Sequence, residues 1–400
     1  MKVLHLSIAL LVVSTSLLSK EEISLDSYIS ENKREIFSYE YKKNEEDSLM
    51  QEDSWINPVN LNYNYSKSNP YQEVQLSESA AIKIDQPIFR GGGIFYSIKH
   101  AEASKRYADY SIDVAKRKMI KDAISLLMQI RQIDLKIEKQ KLQIENAKIN
   151  LELKKEQYLS GQLDSGFLDN AIIERNIAIQ ALYDVETSKE ILISNFKIIS
   201  DLDYENAFVP RLELVNQDEF LEKNLAIEMA KSAAKRDEEN RGIIRAKYLP
   251  MISLTGGYNW TKTDSPFKFG SAEKDYYDYG FKVNIPLHIN TFRDIESAKI
   301  QQLKSEITVL DKHKEMNSLF EKVMQSLDNL EKKQALSVEN IEIYSKLLDD
   351  TKKLFSAGYK TEYDVELLEN SLHMSKLDSK VYDLDKQVEL LNLYEMYVND

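Results

Sequence analysis

The chain has 400 residues, 30% of them charged, a formal charge of −13, few Gly and Pro, and no cysteine. The acidic excess, with no Lys/Arg cluster to offset it, argues against a nucleic-acid partner, because phosphate binding needs a basic face. The missing cysteines exclude a disulfide framework, thiol catalysis, thiolate metal sites and lipid attachment through an N-terminal cysteine.

In chain order, residues 1–19 read as an export signal: Lys2 is the charged start, Leu4 to Val13 a short apolar run, and Ser14, Ser16 and Ser19 the small residues near the expected cleavage point. The apolar run is about half of the ~20 residues that a spanning helix needs. Residues 23–54 are expected to be helical, with Ile29, Ile36 and Tyr39 as a weak apolar stripe. Val59 to Tyr65 alternates strictly, Lys67-Ser-Asn-Pro70 makes a turn, and a second strand is expected within 72–88, ending at Gln86-Pro-Ile-Phe89. Gly91-Gly92-Gly93 breaks the chain before a helix over about 94–159, which turns at Gly161 into a return helix over about 166–199.

The order then repeats. Residues 217–248 are expected to be helical, 251–263 alternate, Asp264 to Glu273 form a tip, and Tyr277 to Leu287 alternate again. A helix over about 292–356 turns at Gly358 into a return helix over about 363–397. Asn32 precedes Pro58 by the interval that separates Asn224 from Pro250, and Tyr158-Leu-Ser-Gly161 returns as Phe355-Ser-Ala-Gly358. Seven-residue steps back from Tyr158 meet Leu151, Ile144, Ile137 and Ile130; those from Phe355 meet Leu348, Ile341, Gln334 and Leu327. The expected organisation is therefore a signal peptide over 1–19, a first repeat over 20–210 (strand pair about 58–89, helical hairpin about 94–199) and a second over 211–400 (strand pair about 251–289, hairpin about 292–397).

Helices of this length suggest coiled-coil packing. A second apolar heptad, Met128, Leu135, Leu142 and Ile149, runs beside the first. Two adjacent stripes suit a helix with neighbours on two sides, as in a closed ring of helices. The strands have the length of tilted membrane-crossing strands, alternate apolar and polar faces, and are crowded with Tyr, Phe and Trp. An open four-stranded sheet leaves backbone groups unpaired in lipid, so several copies are required; three would give twelve strands. The competing reading is a soluble periplasmic coiled-coil protein, structural or adaptor-like, with two small hairpins. The aromatic strands separate the two, since a soluble protein has no reason to keep outward apolar faces.

Asp85-Gln-Pro-Ile-Phe-Arg-Gly-Gly-Gly93, Lys247-Tyr-Leu-Pro250 before an alternating strand, and Phe355-Ser-Ala-Gly-Tyr-Lys-Thr-Glu-Tyr-Asp-Val365 resemble the strand-to-helix junction, helix-to-strand junction and helical turn of the outer membrane efflux protein (TolC) family. The similarity covers about residues 25–397 and lies in the order, spacing and duplication of these motifs. It implies a mainly α fold with a β-barrel contribution: a homotrimer whose twelve-stranded barrel lies in outer-membrane lipid and continues into a periplasmic helical barrel. It further implies an exit duct working with a periplasmic adaptor and an inner-membrane pump, in efflux or type I secretion. Asp364, six residues after Gly358, matches the position of the family's acidic pore constriction, and Glu366 lies nearby; Leu367 stands where the family often has a second acid. Thr361-Glu-Tyr-Asp364 also has the spacing of a helix capping box. Adaptor docking is expected at the turns, around Tyr158, Gly161, Phe355, Gly358 and Thr361. Pro87, Gly91 and Gly92 mark the first strand–helix junction. The second, at Pro286, lacks paired glycines, so its bend falls to Pro286 or Asn290. No nucleophile–base constellation, metal spacing or phosphate loop is present in the sequence, so neither an enzyme nor a cofactor is expected.

Overall fold

The computed structural model describes residues 25–69, 74–264 and 271–397; the expected signal peptide and both hairpin tips lie at least partly outside them. Helix α1 (Glu31–Glu52) leads to strands β1 (Asn60–Ser68) and β2 (Gln75–Arg90), then to α2 (Gly93–Leu159) and its return helix α3 (Ser165–Ile199). The second half follows the same order: α4 (Gln217–Glu222), α5 (Leu225–Ala246), β3 (Met251–Asp264), β4 (Ser271–Asn284), α6 (Thr291–Ser356) and α7 (Glu362–Tyr394). At 67 residues, α2 is on the order of 100 Å long.

Two predicted segments differ in detail. The helix expected over 217–248 is broken at Lys223–Asn224. Asn224 is fully buried, its side-chain oxygen accepts the backbone N–H groups of Ala226 (3.0 Å) and Ile227 (3.2 Å), and its backbone bridges Tyr397. That cap, with a pairing to the chain's far end, outweighs continuous helix. In α1 the expected stripe does not form the covered face. Ile36 and Tyr39 are exposed, and the face against α2 is carried by Phe37, Tyr41, Asn44 and Ser48. Tyr41 donates to Asp113, and the Asn44 amide donates to the Lys105 carbonyl and to Asp109.

Helix α2 is the central element. Its N-terminal half packs between α1 and α5, and its C-terminal half between α3 and α7. Both apolar stripes of α2 are covered accordingly: Met128, Ile130, Ile144 and Ile149 are buried. The α2–α7 seam is antiparallel and carries a heptad-spaced polar ladder, with Gln132 on Asp385 (2.7 Å), Lys139 on Asp378 (2.6 Å) and Asn370 on Asn146 (2.8 Å). Among the described residues, helix α6 packs on α5, on the short α4 and on α7. Its buried residues form one line through Phe320, Val323, Leu330 and Ser337, while Ile300, Leu303, Ile307 and Leu310 stand exposed on the other side.

Two apolar clusters sit midway along the long helices. One gathers Tyr28, Ile29, Ile124, Leu127, Ile130 and Phe196; the other gathers Phe220, Ile227, Phe320, Val323 and Leu393. Burial of each such side chain stabilises by about 1.5–3 kcal/mol.

The strands form one antiparallel sheet in the order β1-β2-β3-β4, so the two hairpins are joined by β2 and β3. Pro87 lies in an inner strand where the pairing slips, between Pro87 and Phe89, an irregularity of the kind in which a strand tolerates proline.

Candidate functional site

The side-chain parity of the sheet separates two faces. Leu61, Tyr63 and Tyr65 of β1 stand opposite Ile82, Ala80 and Glu78 of β2; Ile82 then stands opposite Tyr258, and Tyr258 opposite Tyr277. With Leu254, Trp260, Tyr279, Phe281 and Val283 they make one continuous face, apolar and aromatic except at Glu78, whose carboxylate accepts from Tyr63. The other face carries Asn60, Asn62, Asn64, Lys83, Ser253, Thr255, Asn259, Asp278 and Lys282. The apolar face stands exposed as in no water-soluble sheet, and on the inner strand β3 the polar face is the more covered of the two. Tyr277, Tyr279 and Phe281 are 75%, 85% and 74% exposed, whereas Ser253 and Asn259 on the polar face are 1% and 8% exposed.

Among the described residues the sheet has few contacts with helices, α2 against β2 being the main one, and the polar side of β1 and β4 is exposed like the apolar side. Asn259 donates to Asp278 at 2.8 Å on the polar side, and a side chain on Gly257 would come within 3.0 Å of the same carboxylate. Toward the hairpin tips the apolar face ends in aromatic–acid pairs, Tyr258 to Asp275 (2.8 Å) and Trp260 to Glu273 (2.7 Å). Among the described residues, strands β1 and β4 are both unpaired along their outer edges.

At the opposite end lie the two helical turns. Each closes α2 or α6 with the same backbone bonds. Gly161 and Gly358 adopt φ of 76° and 80°. Their N–H groups donate to Tyr158 (3.0 Å) and Phe355 (2.9 Å), and the next residues, Gln162 and Tyr359, donate to Gln157 (2.8 Å) and Leu354 (2.9 Å). This is a Schellman motif in both halves, and its left-handed residue is the reason for glycine. Asp164 and Thr361, three residues on, cap α3 and α7. The Asn146–Asn370 bond between antiparallel helices brings both turns to the same end of the molecule.

Asp364 is the third residue of α7 and completes the capping box. Its carboxylate accepts the Thr361 backbone N–H and hydroxyl, both at 2.9 Å, and Lys360 lies 3.3 Å away. The Thr361 N–H, then its hydroxyl, and Lys360 hold the carboxyl below its ordinary value. Glu366 is half-buried on the same turn of helix. Phe167 occupies the equivalent position of α3, so the first turn has no capping box. Tyr158, Phe355 and Tyr359 are exposed around the turns.

The strand–helix junctions meet each other around a cavity of about 330 Å³ lined by Arg90, Gly93, Ala246, Leu249, Met251 and Pro286. Gly91 and Gly92 adopt φ of 56° and 84°. At the second junction Asn290, with φ −92°, needs no left-handed backbone. Pro286 lies beyond the end of β4, and the bend is a turn in which the His288 carbonyl accepts the Thr291 N–H (3.2 Å) and hydroxyl (2.6 Å). Gly242 was not visible as a site residue in the sequence. It stands under Tyr96, whose ring would lie 2.3 Å from a Cβ there, and only the packing of α5 on α2 reveals this. Among the described residues no group of three or more His, Asp or Glu is placed to hold a metal, and no helix is long and apolar enough to cross a membrane.

No family model and no curated protein matches the sequence. Solved structures do match the fold. The outer membrane protein VceC of Vibrio cholerae superposes with a TM-score of 0.72 at 14% identity, over 90% of this chain and 92% of that one. The CmeC outer membrane channel of Campylobacter jejuni gives 0.71 at 13% identity, over 93% and 85%. The open state of the MtrE outer membrane channel of Neisseria gonorrhoeae gives 0.65 at 16%, over 93% and 86%. With its duplicated strand pair and long helical hairpin, the chain has the fold of these outer membrane channels, the fold that its resemblance to the TolC family implied.

Proposed function

We propose that the protein is an exit duct of the outer membrane, in which three copies close a twelve-stranded barrel above a periplasmic barrel of helices. The observation that carries this reading is the sheet, which keeps a continuous apolar and aromatic face exposed, covers polar Ser253 and Asn259 on its other face, and is open at both edges. In lipid such a face is solvated and such edges must be closed by further strands. The exposed stripe of α6 fits the same assembly, because α1, the counterpart of α5 in the repeat, has no α6 against it within one copy.

The duct performs no bond chemistry. It receives substrate from an inner-membrane pump through a periplasmic adaptor, whose docking surface is the pair of turns at Tyr158 to Asp164 and Phe355 to Thr361. Residues 1–19 serve as the cleaved export signal, and the two repeats, 20–210 and 211–400, are the units of the duct. Asp364 and Glu366, brought together in three copies around the axis, form the acidic constriction at the periplasmic tip. Three carboxylates around a narrow axis attract cations.

The deciding experiment extracts the processed protein from outer membranes and measures its mass by light scattering in detergent, followed by conductance in planar bilayers. A trimer that needs detergent and conducts ions is expected. A detergent-independent monomer or dimer overturns the duct and leaves a soluble periplasmic protein.

A further inference from the structure

The internal repeat contains a template for how the open edge strands pair between copies. Ile82-Lys-Ile-Asp-Gln-Pro-Ile88 at the foot of β2 and Phe281-Lys-Val-Asn-Ile-Pro-Leu287 at the foot of β4 align without a gap, Lys on Lys and Pro on Pro. Leu61-Asn-Tyr-Asn-Tyr65 of β1 aligns likewise with Leu254-Thr-Gly-Gly-Tyr258 of β3. The two alignments are offset differently in the chain, and the hydrogen-bond ladder links them. Leu61 stands opposite Ile82 in the first hairpin, and their counterparts Leu254 and Phe281 stand opposite each other in the second. The two hairpins are therefore the same unit in the same register.

Within one copy the units are joined by β2 and β3, with Ile82 opposite Tyr258, Lys83 opposite Gly257, Ile84 opposite Gly256 and Gln86 opposite Leu254. Resting on the closed-barrel reading above, we infer that β4 joins β1 of a second copy by the same rule. Phe281 then stands opposite Tyr65 of that copy, Lys282 opposite Asn64, Val283 opposite Tyr63 and Ile285 opposite Leu61.

Face polarity agrees with this register. Phe281, Val283 and Ile285 extend the apolar face into Tyr65, Tyr63 and Leu61 of the second copy, and Lys282 and Asn284 meet Asn64 and Asn62 on the polar face. A slip of one residue would set Phe281 and Val283 beside an asparagine or serine of β1, whereas the proposed register leaves Tyr279, opposite Lys67, as the aromatic side chain that meets a charge. The register also accounts for Ile285, 59% exposed and just past the end of β4, which becomes paired strand once Leu61 of the second copy lies beside it.

The absence of native cysteines makes disulfide trapping free of background. Two matched double variants, Lys282→Cys with Asn64→Cys and Val283→Cys with Tyr63→Cys, test adjacent rungs. One of any two adjacent rungs is the closer, non-hydrogen-bonded kind, at about 4.5 Å between Cα atoms, within disulfide reach. Two shifted variants, Lys282→Cys with Asn62→Cys and Lys282→Cys with Ser66→Cys, keep the face but move the partner by two residues, to about 7–8 Å.

The proteins are extracted in detergent, checked by light scattering, oxidised, and run on denaturing gels with and without reductant. At least one matched variant is expected to give reducible multimers as the main product, and the shifted variants to stay at one-copy mass. Cross-linking of a shifted variant in place of the matched ones overturns the register, as does its absence from all four in a protein that still scatters as a multimer. In both cases barrel closure stands. One-copy mass in solution with no cross-link removes the closed barrel, and the register with it.

Discussion

Glycine 91 is the position where the first repeat's strand–helix junction is most tightly held, and its replacement separates two costs that usually coincide. Gly91→Ala and Gly358→Ala both place a Cβ on left-handed backbone, at φ of 56° and 80°, which costs about 1–2 kcal/mol each. At Gly358 nothing lies within 4 Å of the new atom. At Gly91 the new Cβ would lie 2.4 Å from the Cβ of Leu249, with two further Leu249 carbons at 2.8 and 3.1 Å. Carbon atoms settle at about 3.5–4.0 Å, so the β2–α2 and α5–β3 connections must part by about 1 Å. Overpacking of this kind adds about 1–3 kcal/mol. The expected costs are about 2–5 kcal/mol for Gly91→Ala and 1–2 kcal/mol for Gly358→Ala.

The assay is the thermal midpoint of helical circular dichroism in detergent, with amide exchange localising the loss to the junction. Leu249→Ala does not rescue Gly91→Ala, because the nearest clashing atom is a Cβ that alanine retains. Equal midpoints for the two glycine variants, or rescue by Leu249→Ala, would refute the packing argument.

Gly242→Ala contrasts with this: the three atoms nearest its Cβ all belong to the Tyr96 ring, so Tyr96→Ala should restore most of the lost midpoint. Removing the cap with Thr361→Ala should cost the start of α7 about 1 kcal/mol, read as faster amide exchange in its first turn. Because Asp364 is held below its ordinary carboxylate value, its contribution is fully present above that ordinary value. It is lost as pH falls through the lowered native one, so first-turn protection should fade only in acid and show no change around neutrality. Asp364→Ala should alter single-channel conductance or its block by divalent cations with little effect on assembly; unaltered conductance and block would take Asp364 out of the constriction. In the helical body, Leu127→Ala should cost about 2–5 kcal/mol, because Leu127 is fully buried. Lys139→Met should cost under about 1 kcal/mol, its pair with Asp378 being about one-third exposed. A larger loss at Lys139 would mean that the polar ladder, and not the apolar stripes, holds α2 to α7.

The sequence by itself determined the local structure and its duplication. Period-two and heptad patterns each name a face, and a glycine at the end of a heptad run names a left-handed turn, so the strands, long helices and both Schellman turns were legible at Gly161 and Gly358. Periodicity names a face without naming what covers it, and here the tertiary structure decided. It placed β2 beside β3, set α2 against α7 through Gln132, Lys139 and Asn146, and left one side of α6 open. It broke the helix at Asn224, where a buried cap and a contact with Tyr397 outweigh local propensity. It turned the covered face of α1 from Ile36 and Tyr39 to Phe37 and Asn44, and it gave Gly242 a reason in the ring of Tyr96. For the candidate site, the spacing of Thr361 and Asp364 foretold the capping box, since both partners lie within one helical turn. The meeting of the two strand–helix junctions depends on contacts between residues far apart in the chain, which only the folded structure supplies.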